Sequence, residues 1–302
     1  MMKHRIVSKE AVSVRIDKYL CEYLEEYTRN RIQKLLEDNM VEVNEKPVKA
    51  NYKVKYNDII VVTVPDAVEP DILPENIKLD IVYEDNDIIV VNKPKGMVVH
   101  PAPGHYSGTL VNGLLYHCQG RLSGINGVLR PGIVHRIDMD TTGLIVACKN
   151  DYAHNFIGEQ LKIHSSTRKY QAICYNNINE DEGTVNAPIG RHPVDRKKMA
   201  INYNNGRDAV THYRVIKRFK KFTHIECRLE TGRTHQIRVH MASINHPLLG
   251  DIIYGPKSCP YNLQGQTLHA GVLGFIHPGT KKYVEFEAPL PEYFTKLLSI
   301  ME

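Results

Sequence analysis

The sequence predicts an α+β protein in which a small N-terminal α/β domain precedes a larger domain with a mainly antiparallel, mixed sheet. The chain has 302 residues, more than one domain of typical size contains. Strand-like and helix-like stretches alternate without the regular βαβ order of a parallel sheet. A segment rich in proline and acidic residues separates two well-patterned regions. We therefore expect domains at 13–65 and 80–302, joined by a linker at 66–79.

The first region has the pattern of two short helices followed by a small sheet. Apolar residues recur at helical spacing from Ile16 to Leu24, and a second helix is indicated by Ile32, Leu35 and Leu36. Residues 41–48 are typical of a strand and turn, and residues 58–64 of a closing strand. These elements predict a compact unit.

This region resembles the αL RNA-binding motif, a domain first seen in a small-subunit ribosomal protein. The resemblance rests on the stretches 15–20, 28–36 and 41–48 and on Asn57-Asp58. In that family the second helix and the following strand and turn present basic side chains to folded RNA. The resemblance therefore implies RNA contacts for Arg29, Arg31 and Lys34. The plainer alternative is that these side chains solvate one face of a helix.

The larger domain begins with a hairpin at 81–91, which turns at a cluster of acidic residues. Further strands are predicted at 144–147, 169–175, 209–215 and 223–229. Helices are predicted near 108–118, 151–163, 234–243 and 291–300. This mixed order of strands and helices indicates the α+β class.

Composition narrows the class of protein. Hydrophobic residues make up 42% of the chain and charged residues 24%, as in ordinary globular proteins. Neither a signal-peptide core nor a run of roughly 18 apolar residues is present, so we expect a cytoplasmic protein without membrane spans. The six cysteines are scattered without paired spacing. We expect them to be reduced, and we expect no metal site.

Positive charge is concentrated in the C-terminal two thirds. Residues 100–302 contain 24 Lys and Arg against 16 Asp and Glu, and the net charge of the whole chain is +5. Basic clusters stand at 196–198 and 217–221. Such clusters suit phosphate contacts, although solvated surface charge explains them equally well.

The most informative stretch is 132–146, where polar residues lie between two apolar runs. We expect Arg136 and Asp138 to lie at the end of a strand, where a Thr-Thr-Gly sequence follows them. Charged groups in such a place are costly unless they meet a ligand. This stretch is therefore the first candidate for a functional site.

The same stretch resembles the signature of the RluA/RluD family of pseudouridine synthases, which reads His-Arg-Leu-Asp, two variable residues, then Thr-Ser-Gly. Here Ile137 replaces leucine and Thr142 replaces serine, and both changes keep the size or the hydroxyl group. Further segments match the family in order, at 92–104, 168–172, 231–242, 250–255 and 268–270. With the N-terminal module, the chain most resembles the RluD-like branch, which modifies large-subunit ribosomal RNA.

The resemblance implies a reaction that converts uridine to pseudouridine. The C1′–N1 bond of the nucleotide breaks, the uracil turns, and a C1′–C5 bond forms. This isomerisation is redox-neutral, so we expect neither cofactor nor metal. It requires one ionised carboxylate that acts as nucleophile or base, and the resemblance assigns that role to Asp138.

Three further residues take roles from the same resemblance. Arg233 is the expected salt-bridge partner that keeps the catalytic carboxylate ionised. Tyr170 is expected to offer an aromatic face to the displaced uracil. Arg136 is expected to fill the space that the flipped nucleotide leaves, or to hold a backbone phosphate.

Competing interpretations use the same residues. One alternative makes Asp138 and Asp140 the acid and base of a glycoside hydrolase, but two positions so close in one turn are poorly placed to flank a sugar. The sequence His-Arg-Ile-Asp is also similar to part of a kinase catalytic loop, but the other kinase signatures are absent. A non-catalytic RNA-binding assembly factor would be expected to lack Asp138, Tyr170 or Arg233, and all three are present.

The expected partner is RNA. Large-subunit ribosomal RNA or a ribosomal precursor particle is the first choice of substrate, and transfer RNA is the alternative. We expect a loop or helix end as the target, because unstacked bases are accessible there. The protein is expected to act as a monomer.

Overall fold

The computed structural model divides the chain into two compact units, Met1–Glu69 and Pro70–Glu302. The residues described by the structure are 2–9, 13–24, 26–64, 72–102, 104–125, 130–195 and 198–301.

The N-terminal unit contains two helices and a four-stranded antiparallel sheet. Its elements are β1 (Met2–Val7), α1 (Ile16–Tyr23), α2 (Arg29–Glu37), β2 (Val41–Val43), β3 (Lys46–Pro47) and β4 (Ile59–Val64). The strand order is β1-β4-β2-β3. Strand β1 was not expected from the sequence, because most of its side chains are exposed and it shows little apolar patterning.

The core of this unit lies between the helices and one face of the sheet. Ile16 and Leu20 of α1 and Ile32 of α2 are completely buried, together with Ile60 and Val62 of β4. The Thr28 hydroxyl accepts a hydrogen bond from the Arg31 amide and caps the N-terminus of α2. The predicted helix-and-sheet unit is present.

The larger unit is built on a nine-stranded sheet. Its elements are β5 (Ile81–Glu84), β6 (Ile88–Lys93), α3 (Leu110–Cys118), β7 (Thr142–Cys148), α4 (Asp151–Lys162), β8 (Thr167–Tyr175), β9 (Glu182–Asn186), β10 (Ile189–Arg191), β11 (Met199–Ile201), β12 (Val210–Arg218), β13 (Phe222–Leu229), α5 (Gln236–Ser243), β14 (Leu268–Ile276), β15 (Tyr283–Glu287) and α6 (Glu292–Met301). The order in the sheet is β5-β6-β7-β14-β8-β13-β12-β9, with β15 also paired to β14. Strands β10 and β11 form a separate hairpin.

Within this sheet, the β7–β14 pair is parallel and the other pairs are antiparallel. The mainly antiparallel, mixed sheet and the four helices expected for this domain are therefore confirmed. Strand β7 is buried along its whole length. Leu110 and Leu114 of α3 belong to one core cluster, and Ala153 and Ile157 of α4 belong to another. Strand β7 contributes side chains to both clusters.

The second half of the segment expected to be a linker, 66–79, packs against the larger unit. Ile72 is buried in the core of the larger unit, and Leu79 packs against the same core. Asn112 of α3 donates a hydrogen bond to the Leu73 carbonyl at 2.8 Å and accepts one at its own carbonyl from the Glu75 amide at 3.0 Å. Residues 72–79 therefore belong to the larger unit, and 65–71 lie outside the described residues.

Among the described residues, no helix has both the length and the apolar character needed to cross a bilayer.

Candidate active site

Asp138 lies in the turn that leads into β7, at the edge of the central sheet. Its backbone carbonyl accepts a hydrogen bond from the Thr141 amide at 3.1 Å, which closes the turn. The neighbouring Met139 carbonyl accepts from the Gly96 amide at 3.0 Å and from Lys93 Nζ at 2.9 Å. The turn that presents the carboxylate is therefore tied to the end of β6.

Lys93 supports this turn from within the protein. Its side chain is fully buried, and its ammonium donates three hydrogen bonds, to the backbone carbonyls of Pro94, Met97 and Met139. Burial lowers the pKa of Lys93 to about 7, and the charges of Asp140 and Asp138 oppose this shift. The lysine is thus part of the turn's internal structure.

Gly143 explains the glycine of the Thr-Thr-Gly sequence. Its φ is +111°, and a Cβ at this position would collide with the backbone of Ala270. Ala270 is its partner in the parallel β7–β14 pair. Glycine is required because the two central strands approach so closely beside the Asp138 turn.

The salt-bridge partner of Asp138 is Arg238, in the first turn of α5. Its Nη1 donates to Asp138 Oδ2 at 3.0 Å. Its Nε and Nη2 donate to Asp251 at 2.6 and 2.9 Å, which forms a bidentate pair. Burial opposes the charge of Arg238, but the hydrogen bonds and charges of Asp251 and Asp138 raise its pKa above the ordinary value. Arg238 is therefore a fixed cation that orients the Asp138 carboxylate.

The expectation that Arg233 forms this ion pair is wrong. Arg233 lies before α5, and its Nε donates to the Asp208 carbonyl at 2.9 Å. It lines the same cavity as Asp138, but the pairing is made by Arg238, five residues further along. Both arginines belong to the stretch 231–242. Asp251, in the motif that follows, was the available signal in the sequence, because a buried arginine needs such a carboxylate as its partner.

A narrow slot opens beside Asp138. Tyr170 of β8 is nearly buried and lines it. The slot's apolar side chains are Ile137, Leu229, Ile237 and Leu268. Its polar side chains include Asp138, Thr141, Arg233, His235 and Arg238, with Arg136 exposed at its edge. An aromatic ring and aliphatic walls beside one oriented carboxylate suit a planar base with a sugar attached.

Comparison with known proteins assigns the chain to a family whose substrate fits this slot. A model of the RNA pseudouridylate synthase family matches residues 87–243, and a model of the S4 domain matches residues 14–60. The chain belongs to the RNA pseudouridine synthases. It belongs to their RluA/RluD group, with an N-terminal S4 RNA-binding domain, as the sequence motifs indicated.

The sequences of similar proteins align with nearly the whole length of this synthase. An uncharacterized RNA pseudouridine synthase of Bacillus subtilis, YlyB, is 55% identical over 96% of this chain and 95% of its own. A ribosomal large subunit pseudouridine synthase D of Zymomonas mobilis is 45% identical over 98% of this chain and 96% of its own. The solved structure of human RNA pseudouridylate synthase domain containing 1 covers 79% of this chain and 97% of its own, with 24% identity and a TM-score of 0.58, and it shares the fold.

The two oxygens of the Asp138 carboxylate have different surroundings. Oδ2 is occupied by Arg238, whereas Oδ1 accepts no hydrogen bond from the described residues. His235 Nε2 is the near neighbour of Oδ1, at 3.9 Å. One oxygen is thus held in place while the other accepts no hydrogen bond from the described residues, an arrangement suited to attack on carbon or to proton removal.

The histidines around the site form hydrogen bonds that support the structure. His235 begins α5 in the left-handed conformation, and its Nδ1 lies 2.8 Å from the Tyr254 hydroxyl. His135 Nε2 accepts from the Val146 amide at 3.0 Å, and burial lowers the pKa of His135 to about 3. His240 lies 2.9 Å from the Thr211 hydroxyl. These rings connect the site to its surrounding strands.

In the S4 domain, Asp17 organises the basic face of α2. Its side chain is fully buried, and it accepts hydrogen bonds from Arg29 at 2.8 Å, Arg15 at 3.0 Å and Gln33 at 3.0 Å. Burial alone would raise the pKa of Asp17, but these hydrogen bonds lower it far below the usual value. Arg29 is therefore partly committed to an internal ion pair.

The other two residues of the predicted RNA face differ from Arg29. Lys34 is exposed on α2, and Arg31 is half-buried there. Of the two basic clusters, Arg196 and Lys197 lie outside the described residues. In the other cluster, Arg218 pairs with Asp181 at 2.7 Å, so part of its charge is already neutralised.

One group of described residues has the spacing of a metal site. Ligand atoms of Asp85, Asp87 and His277 lie within 4.8 Å of one another. His277 Nδ1 accepts hydrogen bonds from the backbone amides of Gly279 and Thr280. The proton of a neutral ring is then on Nε2, which lies 2.8 Å from Asp85 Oδ2. Asp85 Oδ1 accepts hydrogen bonds from the amides of Asp87 and Ile88, so turn hydrogen bonds fix the positions of Asp85 and His277.

Proposed function

We propose that this synthase isomerises specific uridines of large-subunit ribosomal RNA, with Asp138 as its catalytic carboxylate. Several similar proteins are named ribosomal large subunit pseudouridine synthase D, which supports this choice of RNA. The observation that carries the assignment of Asp138 is its 3.0 Å ion pair with the buried Arg238 at the wall of the slot lined by Tyr170.

The arrangement of the slot suggests how the nucleotide is held. The uracil would lie against Tyr170 and the aliphatic walls, while Asp138 Oδ1 faces the sugar and the base. Arg238 fixes the direction of the carboxylate while the C1′–N1 bond breaks. The uracil then turns within the slot, and the C1′–C5 bond forms.

Two arginines beside the slot contact the RNA in this proposal. Arg136 is exposed at the slot's edge, where it fills the vacated position in the RNA or holds a phosphate. Arg233 is half-buried, and its contact with the Asp208 carbonyl leaves its other nitrogens available to the substrate. Its role is therefore to position RNA, since Arg238 already occupies the carboxylate.

The S4 domain would bind a structured part of the same RNA. Lys34 and Arg31 offer direct phosphate contacts from α2, and Arg29 is held in place by Asp17 with half of its side chain exposed. We propose that the enzyme acts in the cytoplasm as a monomer, on ribosomal RNA or on a precursor particle.

The test is to map pseudouridine after incubation with separate transcripts. The purified full-length protein is incubated with large-subunit ribosomal RNA and with transfer RNA, without added cofactor, and carbodiimide mapping locates the product. Pseudouridine at discrete positions in large-subunit RNA supports the proposal. Product in transfer RNA alone assigns the other substrate, and modification that occurs only in precursor particles assigns the particle. Absence of product from every RNA and particle contradicts the proposed activity.

A further inference from the structure

A second cavity adjoins the slot and has a markedly basic lining. It has a volume of about 680 Å³ and shares Arg136, Asp138, Tyr170, Leu229 and Arg233 with the slot. Its six cationic side chains are Arg130, Arg136, Lys162, Arg168, Arg207 and Arg233. Asp138 is the single carboxylate among its described lining residues. This basic cavity therefore carries much more positive than negative charge beside the reactive group.

Arg168 is the most deeply buried of these cations. Its relative exposure is 7%, and its Nη2 donates to the Glu230 carbonyl at 2.8 Å. Its Nε is buried and has no hydrogen-bond partner, and no carboxylate among the described residues pairs with it. Burial lowers the pKa of Arg168, as does the neighbouring charge of Arg233. Since arginine titrates far above neutral pH, the guanidinium remains charged, and its burial without an anion is unfavourable.

The position of this guanidinium is closely defined. A Cβ at residue 232 would come within 2.6 Å of Arg168 Nη1, so Gly232 leaves the space that the group occupies. The Glu230 carbonyl holds the opposite nitrogen. The side chain is thus fixed between two points of one loop, although no anion holds it.

Strand geometry relates Arg168 to the slot. Arg168 and Tyr170 are two residues apart on β8, where buried and half-buried positions alternate, so both side chains lie on the same face. Their Cα atoms are separated by roughly 6.6 Å along the strand. A nucleotide with its base against Tyr170 would bring a neighbouring phosphate of its own strand toward Arg168.

We propose that Arg168 anchors a phosphate subsite for the RNA backbone next to the target uridine. This inference rests on the proposed function, because it takes the slot as the site of the uridine. The planar guanidinium pairs with two phosphate oxygens, and its buried Nε gains the acceptor that the protein lacks. Arg207, Arg130 and Lys162 lie around the same cavity and neutralise the adjoining phosphates.

The first experiment measures binding of a large-subunit ribosomal RNA fragment to full-length variants across a salt series. Arg168→Gln should weaken binding about 10- to 100-fold and make the slope of log affinity against log salt shallower by about 0.7 to 0.9. Arg168→Lys should keep the slope with an intermediate loss of affinity. Gly232→Ala should weaken binding and reduce the slope less than Arg168→Gln does, because it displaces the guanidinium without removing its charge. Arg214→Gln is the matched control and should bind like wild type, since Arg214 is exposed on β12 and already faces Glu226 at 3.4 Å.

The second experiment locates the phosphate. RNA with a single neutral methylphosphonate is prepared at each linkage within two nucleotides of the modified uridine. Wild type should lose affinity at one linkage, and in Arg168→Gln the same replacement should cost nothing further. A general structural defect would not produce this coupling, and melting curves check that every variant is folded. If Arg168→Gln does not fold, the same coupling is sought in Arg168→Lys and Gly232→Ala, where it should be reduced.

The outcomes separate this inference from the proposed function. If folded Arg168 variants keep the wild-type affinity and slope, or if each methylphosphonate has the same effect in variant and wild type, Arg168 is structural and the subsite is refuted. If wild type forms no pseudouridine in the fragment yet Arg168→Gln shows the reduced slope, the anion site stands and the choice of substrate fails.

Discussion

Replacing Arg238 by methionine should remove the cation that orients Asp138 while preserving most of the side-chain volume. Arg238 is almost fully buried and makes three charge-assisted hydrogen bonds, at 2.6 and 2.9 Å to Asp251 and at 3.0 Å to Asp138. The perturbation thus affects two carboxylates at once. The side chain of Asp251 is completely inaccessible to solvent and would lose its ion-pair partner.

The expected magnitudes follow from this burial. Removing one partner of a buried ion pair costs about 3–5 kcal/mol of folding free energy, because the remaining charge stays buried. The chemical step should slow about 100-fold or more, since Asp138 loses the contact that holds its carboxylate in the reactive geometry. The rate and stability of Arg238→Lys should lie between those of the wild type and of Arg238→Met, because lysine keeps the charge but not the planar fork.

Arg233→Met is the matched comparison. It removes one hydrogen bond to a backbone carbonyl from a half-buried side chain, a loss of about 0.5–1.5 kcal/mol. Single-turnover rates at saturating enzyme, with thermal melting of each variant, distinguish the two arginines. The reasoning is refuted if a folded Arg238→Met or Arg238→Lys variant keeps the wild-type rate, or if Arg233→Met slows the chemical step as much as Arg238→Met does.

Three further predictions concern the carboxylate, the S4 domain and acid stability. Asp138→Asn should abolish turnover and leave RNA affinity within a few fold in a binding assay, and retained pseudouridine formation would show that the assignment of Asp138 is wrong. Lys34→Ala should weaken RNA binding without changing the melting temperature, whereas Arg29→Ala should also destabilise the S4 domain through its bond to Asp17; equal melting of the two variants would contradict the internal role of Arg29. Burial lowers the pKa of His224 from 6.5 to about 4. As the pH falls below 6.5, the unfolded chain therefore binds a proton before the folded chain does, and the free energy of unfolding decreases by about 2 kcal/mol at pH 5. Urea unfolding at pH 7 and pH 5 should show a smaller fall for His224→Gln, and an identical fall would exclude this histidine as a source.

Local patterns predicted many of the elements but not all of the strands. The helices of the larger unit were predicted because apolar spacing and short polar caps are local signals. Strand β14 was not predicted, although it is central in the sheet. It contains Gly271 and Gly274, which lower strand propensity, and its stability comes from pairing with β7, β8 and β15. Such long-range pairing leaves little trace within the strand itself.

The two arginines of one motif show the same limit at the site. Arg233 and Arg238 are only five residues apart, and the family resemblance placed the ion pair at the first of them. The beginning of α5 at Gln236 turns Arg238 inward toward Asp138 and Asp251, while Arg233 stays in the preceding turn. Where the helix begins, and which carboxylates face it, is set by packing across 100 residues of sequence.

The sequence by itself determined the α+β class, the family, and the residue types that the chemistry needs, because these depend on local patterning and on ordered motifs. Only the tertiary structure decided that Asp138 pairs with Arg238, that Arg29 is bound to Asp17, and that Arg168 is buried without an anion. The reason is physical: the strength and direction of an electrostatic contact depend on distance and burial, and both arise only when separate elements pack together.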